Sequence, residues 1–260
     1  MKSNIIGVIA SFIIVALAIQ DTLPNSLMLF NLVGLLVVVG GTFAAGVVSY
    51  GMDDFYKTFV IGFKVFSKPK MNPMWAISQL MEITQELERN PNSISQLRKR
   101  NYHPFIIDGL RLIENDFSRD KIEEIMFLDL AQRNERHLHE VEILKNLSKY
   151  PPAFGMIGTV IGLIGLLNNM NVKGAELVIG SSMAIALLTT FYGLVLANYF
   201  LVPMSDNLFH RLNLHMQFRK IIIEGILMLK DKEDPLYIRE LLAVHVKPSE
   251  RSGVTVTAKA

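Results

Sequence analysis

Thr159 is the one polar side chain in the middle of an uncharged run from Pro151 to Asn168, PPAFGMIGTVIGLIGLLN. Thr189 and Thr190 sit in the next apolar run, Leu177 to Val202. A hydroxyl carries no charge of its own. It can still coordinate a small cation or line a wet path, as backbone carbonyls can. The alternative is that each threonine bonds the carbonyl four residues back on its own helix. Sequence leaves both open, and the first requires another subunit to bring a carboxylate, because these runs contain no Asp, Glu, Lys, Arg or His. Intramembrane carboxylates are the usual markers of ion and proton paths.

The elements that must position these hydroxyls are legible. Gly155, Gly158, Gly162 and Gly165 recur at spacings of 3, 4 and 3, so they share one helical face. A glycine in a soluble helix costs about 1 kcal/mol relative to alanine. Four on one face make sense where helix backbones approach closely, as in lipid. Ser182, Ala186, Thr190, Gly193 and Ala197 form a second small face, and Pro203 is expected to end that helix. Two more apolar runs precede these. Ile5 to Ile19 is short for a span, and a signal peptide is the rival reading. Ala18-Ile19-Gln20 is a poor cleavage site, however, and Leu27 to Tyr50 follows as a second run long enough to cross with tilt.

Between the two pairs of runs the chain changes character. Residues 51–149 are charged and amphipathic, with no lasting strand alternation. Trp75 to Leu87 predicts a helix with an apolar stripe at Ile77, Leu80, Met81, Ile83 and Leu87. Asn90-Pro91-Asn92-Ser93 breaks it. Phe105 to Asn115 is a shorter helix, and Ser118 can cap a long one over Lys121 to Lys149. Leu208 to Lys230 and Pro235 to Leu242 are helical, and the end (SGVTVTAKA) is expected to be disordered. The reading is an all-α integral membrane protein: spans in 1–50 and 150–203, a helical cytoplasmic domain over 51–149, and a cytoplasmic helix and tail over 204–260. Lys57, Lys64, Lys68, Lys70, Arg136, Lys145, Lys149, Arg211, Arg219 and Lys220 flank the spans on one side, which puts both termini in the cytoplasm.

Composition agrees. Half of the 260 residues are hydrophobic and 19% are charged, and the mean hydropathy is +0.33. The net charge of +2 gives no strong pull toward nucleic acid. There is no cysteine, so no disulfide or thiolate metal site. Enzyme signals are weak. The glycines of GMIGTVIGLIG lack the preceding strand and the lysine of a phosphate loop. His137 and His139 fall on different helix faces with nothing to complete a metal site. Arg98-Lys99-Arg100 is either a solvated face or a docking patch for an acidic protein surface.

Two spans, a cytoplasmic block of about 100 residues, then PAFGMIGTVIGL and MAIALLTTFYGLVLANYFLVP: this pattern resembles the MotA/PomA stator subunits of the bacterial flagellar motor. VGLLVVVGGTFAAGVVSY, HPFIIDGLRLIE and IIIEGILMLKDKEDPLYIRELL extend the resemblance over residues 3 to 245. TolQ/ExbB-type relatives share the last two spans but have one span before their large loop.

The resemblance implies no enzyme and no cofactor, but a channel moving Na+ or H+ in the bacterial inner membrane. It implies a ring, a pentamer around a dimer of a MotB/PomB-type partner whose transmembrane Asp carries the ion. Pro152 and Pro203 match the family's coupling prolines. Thr159 matches the threonine facing the partner's Asp, and Thr189 and Thr190 match the fourth-span pair. Threonine at 190 is typical of sodium-driven members. Arg89 matches the basic position that meets the rotor's switch complex. The family's acidic positions fall near Gln96 and Leu97, followed by Arg98, Lys99 and Arg100, so the local charge is inverted. The rotor partner is then expected to differ, and a TolQ/ExbB-like energiser or a gliding or envelope motor is the alternative.

Overall fold

The computed structural model describes residues 29–64, 73–170 and 176–246, with four isolated positions in the first segment (10, 13, 14 and 17). The first span expected at Ile5 to Ile19, the connectors at Asp21 to Ser26 and Asn171 to Glu176, Lys68, Lys70 and the tail from Lys247 lie wholly or mostly outside the described residues. Those described are helical or in turns, with no strand. In order they form α1 (Leu32–Leu35), a π turn (Leu36–Gly40), α2 (Gly41–Lys64), α3 (Pro73–Arg89), α4 (Ile94–Leu97), α5 (Pro104–Glu114) and α6 (Arg119–Leu147). Then come α7 (Tyr150–Asn169), α8 (Glu176–Val195), a second π turn (Leu196–Leu201), α9 (Val202–Asp231) and α10 (Pro235–Ala243). Among the described residues three helical stretches are long and apolar enough to cross a membrane: Leu32–Phe63, Arg119–Asn169 and Ile179–Asp231.

The chain divides into two compact units, Met1–Lys68 with His139–Phe209, and Pro69–Leu138 with His210–Ala260. The first unit is built on close backbone approach. Gly155, Gly158 and Gly162 are buried on one face of α7. A Cβ on Gly155 would lie 2.9 Å from the Thr189 carbonyl, and one on Gly162 would lie 2.7 Å from that of Ser182. One on Gly193 would meet the Pro151 carbonyl. So the glycine face packs α7 on α8 as the spacing predicts. The second-span stretch joins them, with Gly41 against the Phe154 ring.

The second unit has a conventional apolar core. Ile77, Leu80 and Ile83 of α3, Ile106 and Leu110 of α5, and Ile222 and Ile226 of α9 are all fully buried. The stripe read in the sequence for α3 is the buried one. α5 and α9 both end with a residue at positive φ, Asp116 at 53° and Lys232 at 56°. In each case the next amide reaches back five residues (Phe117 N–H to Leu112 O, Glu233 N–H to Met228 O), which closes the helix end.

Two expectations need correction. Pro203 does not end its helix, because α9 carries the chain helically from Val202 to Asp231. Proline has no N–H and its ring crowds the carbonyl four residues back. The preceding turn widens to the π form, with Val202 N–H bonding the Ala197 carbonyl five residues back. The small face of α8 also runs through Thr189, which is fully buried, and not through Thr190, which stands at its edge. A spacing of 4, 3, 4 and 4 keeps this stripe on one face as well as the one expected, so periodicity alone does not choose.

Candidate ion-pathway site

Thr159 and Thr190 meet across the α7–α8 seam, their Oγ1 atoms 2.6 Å apart. Thr159 Oγ1 also lies 2.9 Å from the Ala186 carbonyl and 3.1 Å from that of Gly155. Carbonyls only accept, so the single Thr159 proton goes to one of these two. Thr190 is then the donor in the pair, and Thr159 accepts. Thr190 Oγ1 has no other partner among the described residues, so both its lone pairs stay free at a half-buried position. The site therefore presents oxygen acceptors and no charge. Such a set can accept a hydrogen bond from an outside acid or coordinate a hard cation, but it cannot move a proton alone.

The local sequence makes this geometry. Gly155 lets α8 come close enough for the hydroxyls to touch, and a Cβ on Gly158 would sit 2.5 Å from the Thr189 side chain. Thr189 turns into this seam and donates to its own helix, at 2.9 Å to Ile185 O and 3.1 Å to Ala186 O. Thr189 back-bonds to its own helix, while Thr159 and Thr190 bond across it. Pro151 and Pro152 occupy the first turn of α7, where a missing N–H costs nothing. Pro203 sits in the first turn of α9, and its carbonyl accepts from Asn207 Nδ2 at 2.8 Å.

One participant went unread in the sequence. Tyr192 Oη accepts the Asn31 N–H at 2.8 Å and donates to the Leu29 carbonyl. Asn31 caps α1 through Gly34 N–H at 2.8 Å, and a Cβ on Gly34 would lie 3.1 Å from Thr189 Cγ2. The seam is thus tied to the start of the second-span stretch. A tyrosine in an apolar helix is itself a signal, because its hydroxyl needs a partner when buried.

The basic residues belong to the second unit. Arg98 pairs with Glu114, and Arg100 with Glu82 at 3.0 Å and Glu86 at 3.7 Å. Tyr102 Oη donates to Glu82 at 2.9 Å. Arg89 and Lys99 are exposed with no ion pair among the described residues. The charge inversion is therefore answered in part by acids of α3 and α5. Hydrogen bonds from Ser95 and then Arg98 hold the Glu114 carboxyl below its ordinary range. His137 and His139 are exposed, and no group of three or more His, Asp or Glu among the described residues is placed to hold a metal.

Residues 98–221 match the MotA/TolQ/ExbB proton channel family. Motility protein A of Aquifex aeolicus is 30% identical over 247 residues, 93% of this chain and 94% of the relative. The chain belongs to the MotA/PomA stator family. Chemotaxis protein PomA of Vibrio alginolyticus is 28% identical over 251 residues, 96% of this chain and 97% of its own. The fold of this stator-family chain is also that of the C. jejuni MotAB structure, with a TM-score of 0.85 at 18% identity over 96% and 97% of the two chains. The family is one of channel and motor components, not of enzymes.

Proposed function

We infer that this chain is a stator subunit of the bacterial flagellar motor, forming a cation channel with a partner whose transmembrane carboxylate carries the ion. The observation that carries this is the Thr159–Thr190 hydroxyl pair, with free lone pairs on a charge-free, glycine-packed seam. An acid from outside can donate to Thr190 Oγ1, or a sodium ion can shed part of its water onto it. The finer reading has four transmembrane helices, both termini in the cytoplasm, and a pentameric ring around a partner dimer in the inner membrane. Thr190 inclines the ion toward sodium. Pro152, in the first turn of α7, and Pro203, just after the π turn, lie on the helices that would pass the ion's displacement to the cytoplasmic helices, where Arg89 and Lys99 are free to meet a rotor.

The test is complementation of a stator-deficient strain with this chain and a partner of MotB/PomB type. Swimming speed is recorded against external sodium at constant proton gradient. Thr190→Ser should keep sodium-dependent swimming and Thr190→Val should abolish it. Full motility with Thr190→Val, or ion flux with no partner subunit, would refute the reading. A TolQ/ExbB-like energiser would instead require a periplasmic N-terminus.

A further inference from the structure

The second unit buries positive charge that the mechanism above does not use. Arg211, His215 and Arg219 follow one another at intervals of four on α9, so they form a row on one helical face. Arg219 is only 9% exposed. Its Nε and the Nη2 of Arg211 are buried without a hydrogen-bond partner. Neither guanidinium makes an ion pair among the described residues. The acids that act on Arg219 and His103 are already spent. Asp129 of α6 holds Arg133 at 2.7 and 2.9 Å, and Asp108 of α5 pairs with Arg111 at 3.4 Å. Arg219 does stand over the Phe105 ring, 5.8 Å from its centroid, but such a contact recovers only a fraction of what desolvating a guanidinium costs.

Two imidazoles border the same place. His103 packs edge-on against Phe218 at 4.9 Å. Its Nδ1 accepts the Phe105 N–H at 3.2 Å as the cap of α5, which leaves Nε2 as its N–H. Arg219 acts on both His103 and His215, and Arg211 and His137 act on His215. Buried donors left open in this number normally have a partner. A forked guanidinium set beside imidazole N–H groups fits a tetrahedral oxyanion. The depth of Arg219 favours a small or slender anion over a residue on the flat surface of another protein.

We propose that Arg211, His215 and Arg219, with His103 beside them, form a binding site for a phosphate-type oxyanion, either free or as a lipid headgroup. Burial, and then the charge of Arg219, keeps both imidazoles below the ordinary histidine value. His103 is also held neutral by its cap. A bound anion reverses this at His215, so binding tightens as pH falls. The facing groups to be counted are Arg133, Asp129 and His137 on α6, Asp108 on α5, and Arg211 and Arg219 on α9.

The test uses the full chain purified with its partner subunit in neutral detergent and chloride buffer. Sulfate, whose charge is constant in the range, is titrated calorimetrically at pH 5.5 and 7.5, and inorganic phosphate at pH 7.5. Saturable binding is expected, tighter at the lower pH by roughly tenfold for each pKa unit the anion returns to His215. Arg219→Gln and the milder Arg211→Gln should each weaken it at least about tenfold, with assembly checked by size exclusion. Repeating the titration in phosphatidylglycerol and phosphatidylcholine nanodiscs separates the sources. Competition by the anionic lipid alone assigns a headgroup, and no competition assigns free phosphate. Absence of saturable binding, or binding unchanged in both variants, overturns the proposal. So does an Arg219→Gln chain that fails to assemble while the parent binds no anion, since a carboxylate of a second copy would then fill the site.

Discussion

The Thr159 hydroxyl faces the Thr190 hydroxyl at 2.6 Å, and only one of the two has a carbonyl to donate to. That asymmetry makes Thr159 the anchor and Thr190 the open acceptor. Thr159→Val should therefore cost about 1 kcal/mol of stability, the ordinary net worth of a hydrogen bond, yet stop ion flux by letting Thr190 turn away. Thr159→Ser should retain flux. Fluorescent-dye flux assays on reconstituted complexes, paired with thermal unfolding, check both halves.

The seam itself sets a second expectation. Gly155→Ala and Gly193→Ala place a methyl against backbone carbonyls of the facing helix, while Gly180 has nothing within 4 Å of a built Cβ. Overpacking of this kind costs about 1–3 kcal/mol. The first two variants should lower the melting temperature and abolish swimming, and Gly180→Ala should leave both intact.

Much of this was legible in the residues. The α3 stripe, the break at Asn90-Pro91 and the glycine face stand where spacing placed them, because apolar periodicity and turn residues act locally. What spacing could not resolve was which of two adjacent threonines enters the seam, since stripes through 189 and through 190 fit a helix equally well. The π turn before Pro203 was invisible too, because proline's signature is the same whether it stops a helix or makes the preceding turn widen. The acids that answer Arg98 and Arg100 come from other helices, and no local pattern announces them.

Pro203→Ala restores an N–H where the chain has none and removes the ring that crowds the preceding turn. The π turn over Leu196–Leu201 should relax toward α geometry, and coupling should fall while the protein stays folded. Hydrogen exchange on peptides covering 196–204, slower in the variant, together with reduced swimming torque, is the expected result. Unchanged exchange would mean that the π turn has another cause.

Docking can be separated from folding by choosing which base to reverse. Lys99→Glu and Arg89→Glu touch no internal ion pair, so a loss of motility with normal unfolding would report rotor contact. Arg98→Glu and Arg100→Glu set acid against Glu114, Glu82 and Glu86 and should also loosen the α3–α5 packing. Tethered-cell torque and limited proteolysis distinguish the two classes. If all four behave alike, the unpaired bases are not the contact.

Acid should destabilise the chain in two stages. His103 and His215 are held below the ordinary value of 6.5, chiefly by burial. The unfolded chain binds protons there first, so stability falls as pH drops below about 6.5 and levels off below the folded values. Glu114 and Asp116 are also held low, by Ser95 and Arg98 and by Lys230. Their contribution is present above the ordinary carboxylate range and disappears as pH falls through the lowered values. His215→Gln with His103→Asn, which keeps a capping side chain, should flatten the first stage alone in melts from pH 8 to 4.

A seam with no room for a methyl group has a mechanical meaning. From Gly193 against Pro151 to Gly162 against Ser182, helix backbones approach closely, with only small side chains such as Thr189 and Ala186 between them. The large side chains that give ordinary helix pairs their cushion, such as Met156, Ile164, Met183 and Leu187, all stand on the outside. The pair can bend or shift only as one stiff bar. A small displacement imposed at Thr190 would then be passed along the pair with little absorbed on the way.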